Sequence, residues 1–297
     1  MTLNKPVVSK SNISCNLCGG DDHELLHHDE IGDRPPTVDY DFSPETRLTY
    51  AIVKCRGCGL VFTNPMPDLS SAYKDTVDET YLSSESQRRL TSRRVLKHIR
   101  EIVPGGRLLD VGCSTGIFLD EAKEFYEVEG IELSKWAALI ASQRHAIHHE
   151  PLSDTGFNQH FDVLTMLGVI EHLDNPQKEI DCAAKALKPG GIIVVYTGDI
   201  DAWLPRLLGK RWWWFQGMHL HYFSRRTLGA MMEKAGFEVI DHRTHVVHFQ
   251  LFSLAVSLKR YWIGNLIYPF LTMAPFRNLM LPLKLNGEML LIARRRS

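Results

Sequence analysis

A chain of 297 residues with 44% hydrophobic and 23% charged residues suits one large or two modest domains and is too apolar to be disordered. Lys and Arg total 34 against 35 Asp and Glu, a net charge of −1, so no global basic field draws the chain to nucleic acid. The opening MTLNKPVVSKSNIS is polar and lacks the apolar run of a secretory signal. The longest uncharged stretch, Tyr261 to Phe276, is interrupted by Pro269 and Pro275 and is too short to span a membrane, so a cytoplasmic address is expected.

In a reducing compartment paired cysteines point to metal. Four of the six cysteines form two C-x-x-C-G knuckles, Cys15-Asn-Leu-Cys18-Gly19 and Cys55-Arg-Gly-Cys58-Gly59. Each knuckle turns two thiolates to one side of a tight loop, and the glycine relieves crowding where amides face the sulfurs. Two knuckles supply a closed tetrahedral shell suited to structural zinc. The spacing of 36 residues between pairs exceeds the usual one, and His23, His27 or His28 could replace one Cys. Residues 1–70 therefore read as a cysteine-pair zinc module, with a loop-like middle and an extended exit at Thr63-Asn-Pro-Met-Pro67.

Residues 70–84 are polar and carry Tyr73 and Tyr81. From Glu85 to Val103 the pattern is helical, with Val95, Leu96, Ile99, Ile102 and Val103 on one face, and Pro104-Gly105-Gly106 stops it. Strands are expected at Arg107–Val111, Val128–Leu133, Ile147–His149, Phe161–Leu167 and Ile192–Thr197. Helices are expected at Ile117–Tyr126, from the Ser134 cap to His145, and at Pro176–Leu187, with Lys188-Pro-Gly-Gly191 as a turn. This alternation means a mostly parallel sheet covered on both faces. Ser224 caps a helix over Arg225–Ala235, strands follow at Phe237–Val247 and Glu288–Ala293, and an apolar segment, 249–285, lies between them.

The most informative string is Leu108-Leu-Asp-Val-Gly-Cys-Ser-Thr-Gly116. A strand ends at Asp110, and Gly112 and Gly116 allow a ligand to approach the backbone beside a helix N-terminus. Twenty-two residues on, Glu132 ends the next strand, where an acid takes both ribose hydroxyls of an adenosine group. The spacing Gly112-x-x-x-Gly116 departs from the G-x-G-x-x-G of dinucleotide sites. An acid at Asp110 suits an ammonium-bearing ligand such as S-adenosylmethionine better than a pyrophosphate.

With G-I-E-L-S at 130–134, F-D-V-L-T-M-L-G-V-I-E-H-L at 161–173 and L-K-P-G-G at 187–191, residues 85–297 resemble the class I S-adenosylmethionine-dependent methyltransferases. The subgroup with an N-terminal cysteine-pair module is similar to enzymes of sugar, polysaccharide and secondary-metabolite pathways. The resemblance implies a Rossmann-like seven-stranded sheet whose last strand is antiparallel. It also implies cofactor contacts at Asp110, Gly112, Cys113, Ser114 and Gly116, with Glu132 on the ribose. Leu133, Leu152 and Ser153 would flank the adenine, and Met166 and Leu167 would lie near the methionine moiety. Either Glu150 or Asp154 would supply the acid often found after the third strand.

Methyl transfer to a hydroxyl or carbon acid needs a general base. His172, in Glu171-His172 after the fourth strand, is the leading candidate. Quinone-pathway O-methyltransferases resemble E-x-x-E-H here and bind metal through those acids; this chain has Gly168 in place of the first acid. A second cluster, 212–223, offers His219, His221 and Tyr222 to an acceptor and tryptophans to stack on a ring, or else forms an aromatic packing patch. The string of amino-directed nucleic-acid methylases is absent after the fourth strand, so a nucleic-acid substrate is disfavoured. In segment 249–285, Lys259, Arg260, Arg277 and Lys284 beside Trp262, Tyr268 and Phe270 would suit peripheral membrane association, or else helices packed on the sheet edge.

The expectation is a zinc module over 1–70 and a methyltransferase domain over 71–297. It would transfer methyl from S-adenosylmethionine to a small molecule, first a sugar or glycan-precursor oxygen or carbon, free or lipid-linked. The alternatives are a quinone-like or other secondary-metabolite hydroxyl, or a non-catalytic cofactor-binding module.

Overall fold

In the computed structural model, which describes residues 9–34, 38, 48–251, 265–266, 268–269 and 279–297, the cysteine knuckles lie beside a small antiparallel sheet. Its strands are β1 (His23–His27), β2 (Ile52–Cys55) and β3 (Val61–Thr63). Each knuckle closes the same way. The N–H of Gly19 donates to the Cys15 carbonyl at 2.7 Å and that of Gly59 to the Cys55 carbonyl at 2.8 Å. Both glycines have φ near +77° (76° and 78°), which only glycine adopts readily.

Helix α1 (Glu85–Arg100) buries Val95, Leu96 and Ile99, the predicted face, against Leu108, Phe118, Leu119 and Ile292. The alternating region follows: β4 (Gly106–Val111), α2 (Ile117–Ala122), β5 (Tyr126–Ile131), α3 (Lys135–Ala141), β6 (Ala146–His148), β7 (Phe161–Leu167), α4 (Pro176–Ala186) and β8 (Leu187–Gly198). Ser134 accepts from the N–H of Ala137 and Asn175 from that of Lys178, which explains where α3 and α4 begin. The C-terminal part adds β9 (His221–Tyr222), α5 (Arg225–Lys234), β10 (Phe237–Gln250) and β11 (Met280–Arg295).

The large sheet has the order β10-β11-β8-β7-β4-β5-β6. Its first five strands in chain order are parallel, while β11 runs antiparallel to both β8 and β10. This is the Rossmann-like seven-stranded sheet that the resemblance implies, and its parallel part is what the alternation of strands and helices predicts. Lys188–Gly191, expected as a turn, lies inside β8 as an irregularity, because Leu187 pairs with Phe161 and Ile192 already with Val163. Strand β11 begins at Met280 rather than Glu288. Its first part pairs only with β10, as a two-stranded ribbon beyond the edge of β8. Pro282, Lys284, Asn286 and Gly287 break the apolar pattern there, so the ribbon gives little strand signal.

The small sheet has a fourth strand, β9, which joins β3 through His221↔Phe62 and Tyr222↔Val61. The segment after β8 thus completes the cysteine module. Trp212, Trp214, Phe215 and Tyr222 pack with Ile52 and Val61 in one buried cluster. Arg226 donates to the Cys58 carbonyl at 2.7 Å, and Lys234 to that of Leu17 at 2.8 Å, tying the knuckles to α5. Most of the apolar segment 249–285 lies outside the described residues. Among the described residues no helix is long and apolar enough to cross a membrane.

Candidate active site

Beyond β4 the backbone turns sharply through Gly112 (φ 73°), Ser114 (φ 49°) and Gly116 (φ 84°), the last being the N-cap of α2. The N–H groups of Gly112 and Cys113 both donate to the Ile131 carbonyl, pinning the loop to the end of β5. There Glu132 accepts from the N–H of Ser114 at 2.8 Å and of Ser134 at 2.7 Å. Its carboxyl is therefore fixed between the glycine loop and α3. Burial raises its pKa while these backbone donors oppose the rise.

The loop opens on a cavity of about 1150 Å³. Single small-ligand pockets span about 300–1,000 Å³, so this space is at least as large as one of them. Of the residues expected to bind a cofactor, Gly112, Ser114, Glu132, Leu133, Leu152, Ser153 and Leu167 line it. Asp110, Cys113, Gly116 and Met166 stand behind that lining. Asp110 is buried and accepts from the Thr165 hydroxyl at 2.6 Å, and burial pushes its carboxyl up to about 7. Cys113 fills the space a Gly130 side chain would need. Met166 is fully buried one residue before Leu167. Asp154 lines the cavity and Glu150 does not.

His172 and His219 also line the cavity, with ring centroids 4.7 Å apart. His172 Nδ1 is 2.8 Å from the Tyr73 hydroxyl and 3.0 Å from the Met218 carbonyl. With Nδ1–H donated to that carbonyl, the ring carries its lone pair on Nε2. Burial lowers the His172 pKa to about 4, so the imidazole is neutral at physiological pH. His219 Nδ1 is bonded to the Trp214 carbonyl at 2.6 Å, and burial lowers its pKa too. Tyr196 and Trp214 complete this wall. Tyr196 donates to Glu288 at 2.8 Å, and Glu288 also accepts from Trp213 at 3.0 Å, which fixes the tyrosine ring.

His221 and Tyr222, expected to face an acceptor, and Glu171, the candidate beside His172, point elsewhere. Glu171 is buried behind His172, accepts from the Thr197 hydroxyl at 2.9 Å and is pushed up to about 7 by burial. His221 is fully buried between Phe62 and Phe223 and bonds Asn16 at 3.1 Å. The Tyr222 hydroxyl donates to the Gln216 carbonyl inside the aromatic cluster. The alternation along β9 and its pairing with β3 take both side chains out of reach of the cavity. Metal-binding atoms of Glu171, His172 and His219 nevertheless lie within 4.8 Å of one another.

Sequence reasoning missed Tyr73, Tyr81 and Arg88, which line the cavity from segments preceding the sheet. The Arg88 guanidinium lies 3.6 Å from the Tyr81 ring centroid. The signal available was the pair of tyrosines in a polar stretch. The cysteine module contributes as well, through Ile13, Asn16, Met66 and Leu69. Its four sulfurs lie within 4.8 Å of one another, Cys15 to Cys58 at 3.4 Å and Cys18 to Cys55 at 3.5 Å. Zinc–sulfur bonds of about 2.3 Å in a tetrahedron put sulfurs about 3.8 Å apart, so the four cysteines fit that ion. Gly20 and Gly57 stand against the sulfurs, at 3.4 and 3.6 Å for an added Cβ, so the shell is closed on the protein side.

Comparison with known proteins bears on the family and the fold. The ubiquinone biosynthesis O-methyltransferase of Psychrobacter cryohalolentis is 33% identical over 208 residues, covering 65% of this chain and 76% of that protein. The protein of the same name from Idiomarina loihiensis is 31% identical over 155 residues, 46% of this chain and 63% of its own length. For the one from Alkalilimnicola ehrlichii the match covers 42% of its length. The chain thus spans between about two fifths and three quarters of these relatives. A SAM-dependent methyltransferase from Archaeoglobus fulgidus shares the fold, with a TM-score of 0.50 at 19% identity over 73% of this chain and 100% of that one. Residues 84–242 match the family described as "Methyltransferase domain", and the chain belongs to that family.

Proposed function

We propose that the protein transfers a methyl group from S-adenosylmethionine to an acidic hydroxyl of a small ring-bearing acceptor. The observation that carries this reading is one cavity lined both by the glycine loop with Glu132 and by a neutral His172. The donor supplies an electrophilic methyl on a sulfonium, which already has a good leaving group. Glu132 takes the ribose hydroxyls, Leu133, Leu152 and Ser153 flank the adenine, and Gly112 and Ser114 let the methionine end approach the backbone. Arg88 is available for its carboxylate. Asp110 orders the loop from behind.

His172 takes the acceptor proton, and Tyr73 holds the imidazole against the Met218 carbonyl. A base near pKa 4 lies about 6 units below a phenol such as the tyrosine side chain, a gap of about 8 kcal/mol. Saturated alcohols are weaker acids still, so the base favours a phenolic or enolic hydroxyl. The relatives' names, ubiquinone biosynthesis O-methyltransferase, support a hydroxyl acceptor. A sugar or glycan-precursor acceptor is the second reading, favoured by the Trp214 and Tyr196 rings in the wall.

The four cysteines, in this account, hold a structural zinc in a module over 1–70 that braces the acceptor side of a catalytic domain over 71–297. Peripheral membrane association through segment 249–285 stays part of the proposal and rests on its sequence alone.

The test is transfer of labelled methyl to a panel of catechols, polyphenols and nucleotide-sugars. The expected result is labelled methyl ether on a phenolic acceptor, with His172→Gln slowing turnover while S-adenosylhomocysteine affinity is kept. Binding of S-adenosylhomocysteine without transfer to any acceptor would favour a non-catalytic module.

A further inference from the structure

A second cavity, of about 390 Å³, lies between α1, the β10–β11 ribbon and the start of α5. Its lining includes Arg94, Arg225, Arg243 and Lys284 and three histidines, His98, His242 and His245, with no carboxylate among them. Two of the cations are balanced from outside the lining. Arg225 pairs with Asp199 at 3.1 Å, and Arg243 pairs with Asp241. Glu101 stands 3.7 Å from His98 and is half exposed. Among the described residues neither Arg94 nor Lys284 makes an ion pair, so two positive charges face the cavity uncompensated. His242 Nδ1 is buried there with no hydrogen-bond partner among the described residues.

Two exposed cations without ion-pair partners among the described residues, Arg94 and Lys284, beside two arginines that are paired from outside the lining, put more positive charge at this cavity than packing requires. A donor-rich, carboxylate-free concavity of this size fits one or two phosphoryl groups, whose oxygens accept several charge-assisted hydrogen bonds at once. We infer that this cavity is an anion site for a phosphate or diphosphate ester, separate from the methyl-transfer cavity. The two cavities share a wall, because buried His245 lies against the Tyr196 ring at 4.2 Å between centroids. The ligand is either a soluble phosphate ester or the headgroup of an anionic lipid. The inference does not depend on the methyl-transfer reading.

The experiment uses the full chain as purified, titrated calorimetrically at low salt with pyrophosphate in the presence of excess S-adenosylhomocysteine. In parallel it is sedimented with vesicles of phosphatidylcholine containing phosphatidic acid. The variant Arg94→Gln/Lys284→Gln changes two exposed side chains, and Arg93→Gln, on the same helix but outside the cavity, controls for general charge. The expected result is binding of one pyrophosphate per chain that weakens at least about tenfold in the double variant and is unchanged in the control. Vesicle binding lost in the double variant alone, without pyrophosphate binding, assigns the same site to a lipid headgroup. No binding to either probe, or equal binding by wild type and double variant, overturns the site. Thermal unfolding of each variant distinguishes lost binding from lost folding.

Discussion

Glu132→Gln isolates the donor half of the site. The substitution keeps the side chain's length but leaves one acceptor oxygen where two now serve the N–H groups of Ser114 and Ser134. The new amide must turn its own donor toward one of these N–H groups, leaving a buried donor unsatisfied at a cost of about 1–3 kcal/mol. It also replaces a charged acceptor for the ribose hydroxyls, and such bonds contribute about 1.5–3 kcal/mol each. A loss of about 3 kcal/mol in donor affinity is expected, or roughly 150-fold in Kd. Titration calorimetry with S-adenosylhomocysteine measures it directly, with circular dichroism as the folding check. A folded Glu132→Gln protein binding within threefold of wild type would refute the assignment of this loop as the donor site.

Other consequences follow from the same geometry. Tyr73→Phe, which removes the hydroxyl beside His172 Nδ1, should lower kcat/KM about tenfold and leave S-adenosylhomocysteine affinity unchanged, as steady-state kinetics would show. Because burial holds His172 near pKa 4, its neutral form persists well below pH 6, so the rate profile should show no acid limb near 6.5 from this group. The same sign governs stability at His221, held near 3 by burial. Below its unfolded value of about 6.5 the unfolded chain takes up the proton and the folded chain does not, so stability falls as pH drops toward 3. Between pH 4 and 6 that slope is about 1.4 kcal/mol per unit, and His221→Phe should remove it in denaturant unfolding measured across that range. Gly198→Ala would put a Cβ 2.6 Å from the Trp214 ring, and the overpacking should cost about 1–3 kcal/mol in the same assay. Metal analysis should find about one zinc per chain, and Cys55→Ser should lose it together with the cooperative unfolding of the module.

The sequence made the catalytic scaffold legible because its signals are local. The glycine loop, the acid after β5 and the caps at Ser134 and Ser224 each declare themselves within a few residues. The cysteine knuckles do so too, since Gly19 and Gly59 must adopt positive φ wherever the chain leads. What escaped notice depends on contacts distant in the chain. Nothing around His221 announces that a two-residue strand will pair with Val61 and Phe62. Histidines that looked available for chemistry therefore divide into His219, in the cavity wall, and His221, sealed between phenylalanines. Glu171 shows the same limit. Its neighbour His172 faces the cavity, yet the turn after β7 points the acid at Thr197. The aromatic run 212–215 satisfied both readings at once, since Trp212 and Phe215 pack the module while Trp214 also lines the cavity. Arg88 and Tyr81 belong to no motif and are recognised only when α1 and the segment before it are seen to line the same cavity as the loop.

The central claim is that one cavity brings donor and acceptor together for methyl transfer. Its most direct measurement is single-turnover transfer of labelled methyl from S-adenosylmethionine to a catechol by wild type, Glu132→Gln and His172→Gln. The account predicts labelled methyl ether from wild type, a higher donor requirement with Glu132→Gln, and a slower step at saturating donor with His172→Gln. Equal rates from all three proteins, or no transfer by a wild type that binds S-adenosylhomocysteine, would contradict it.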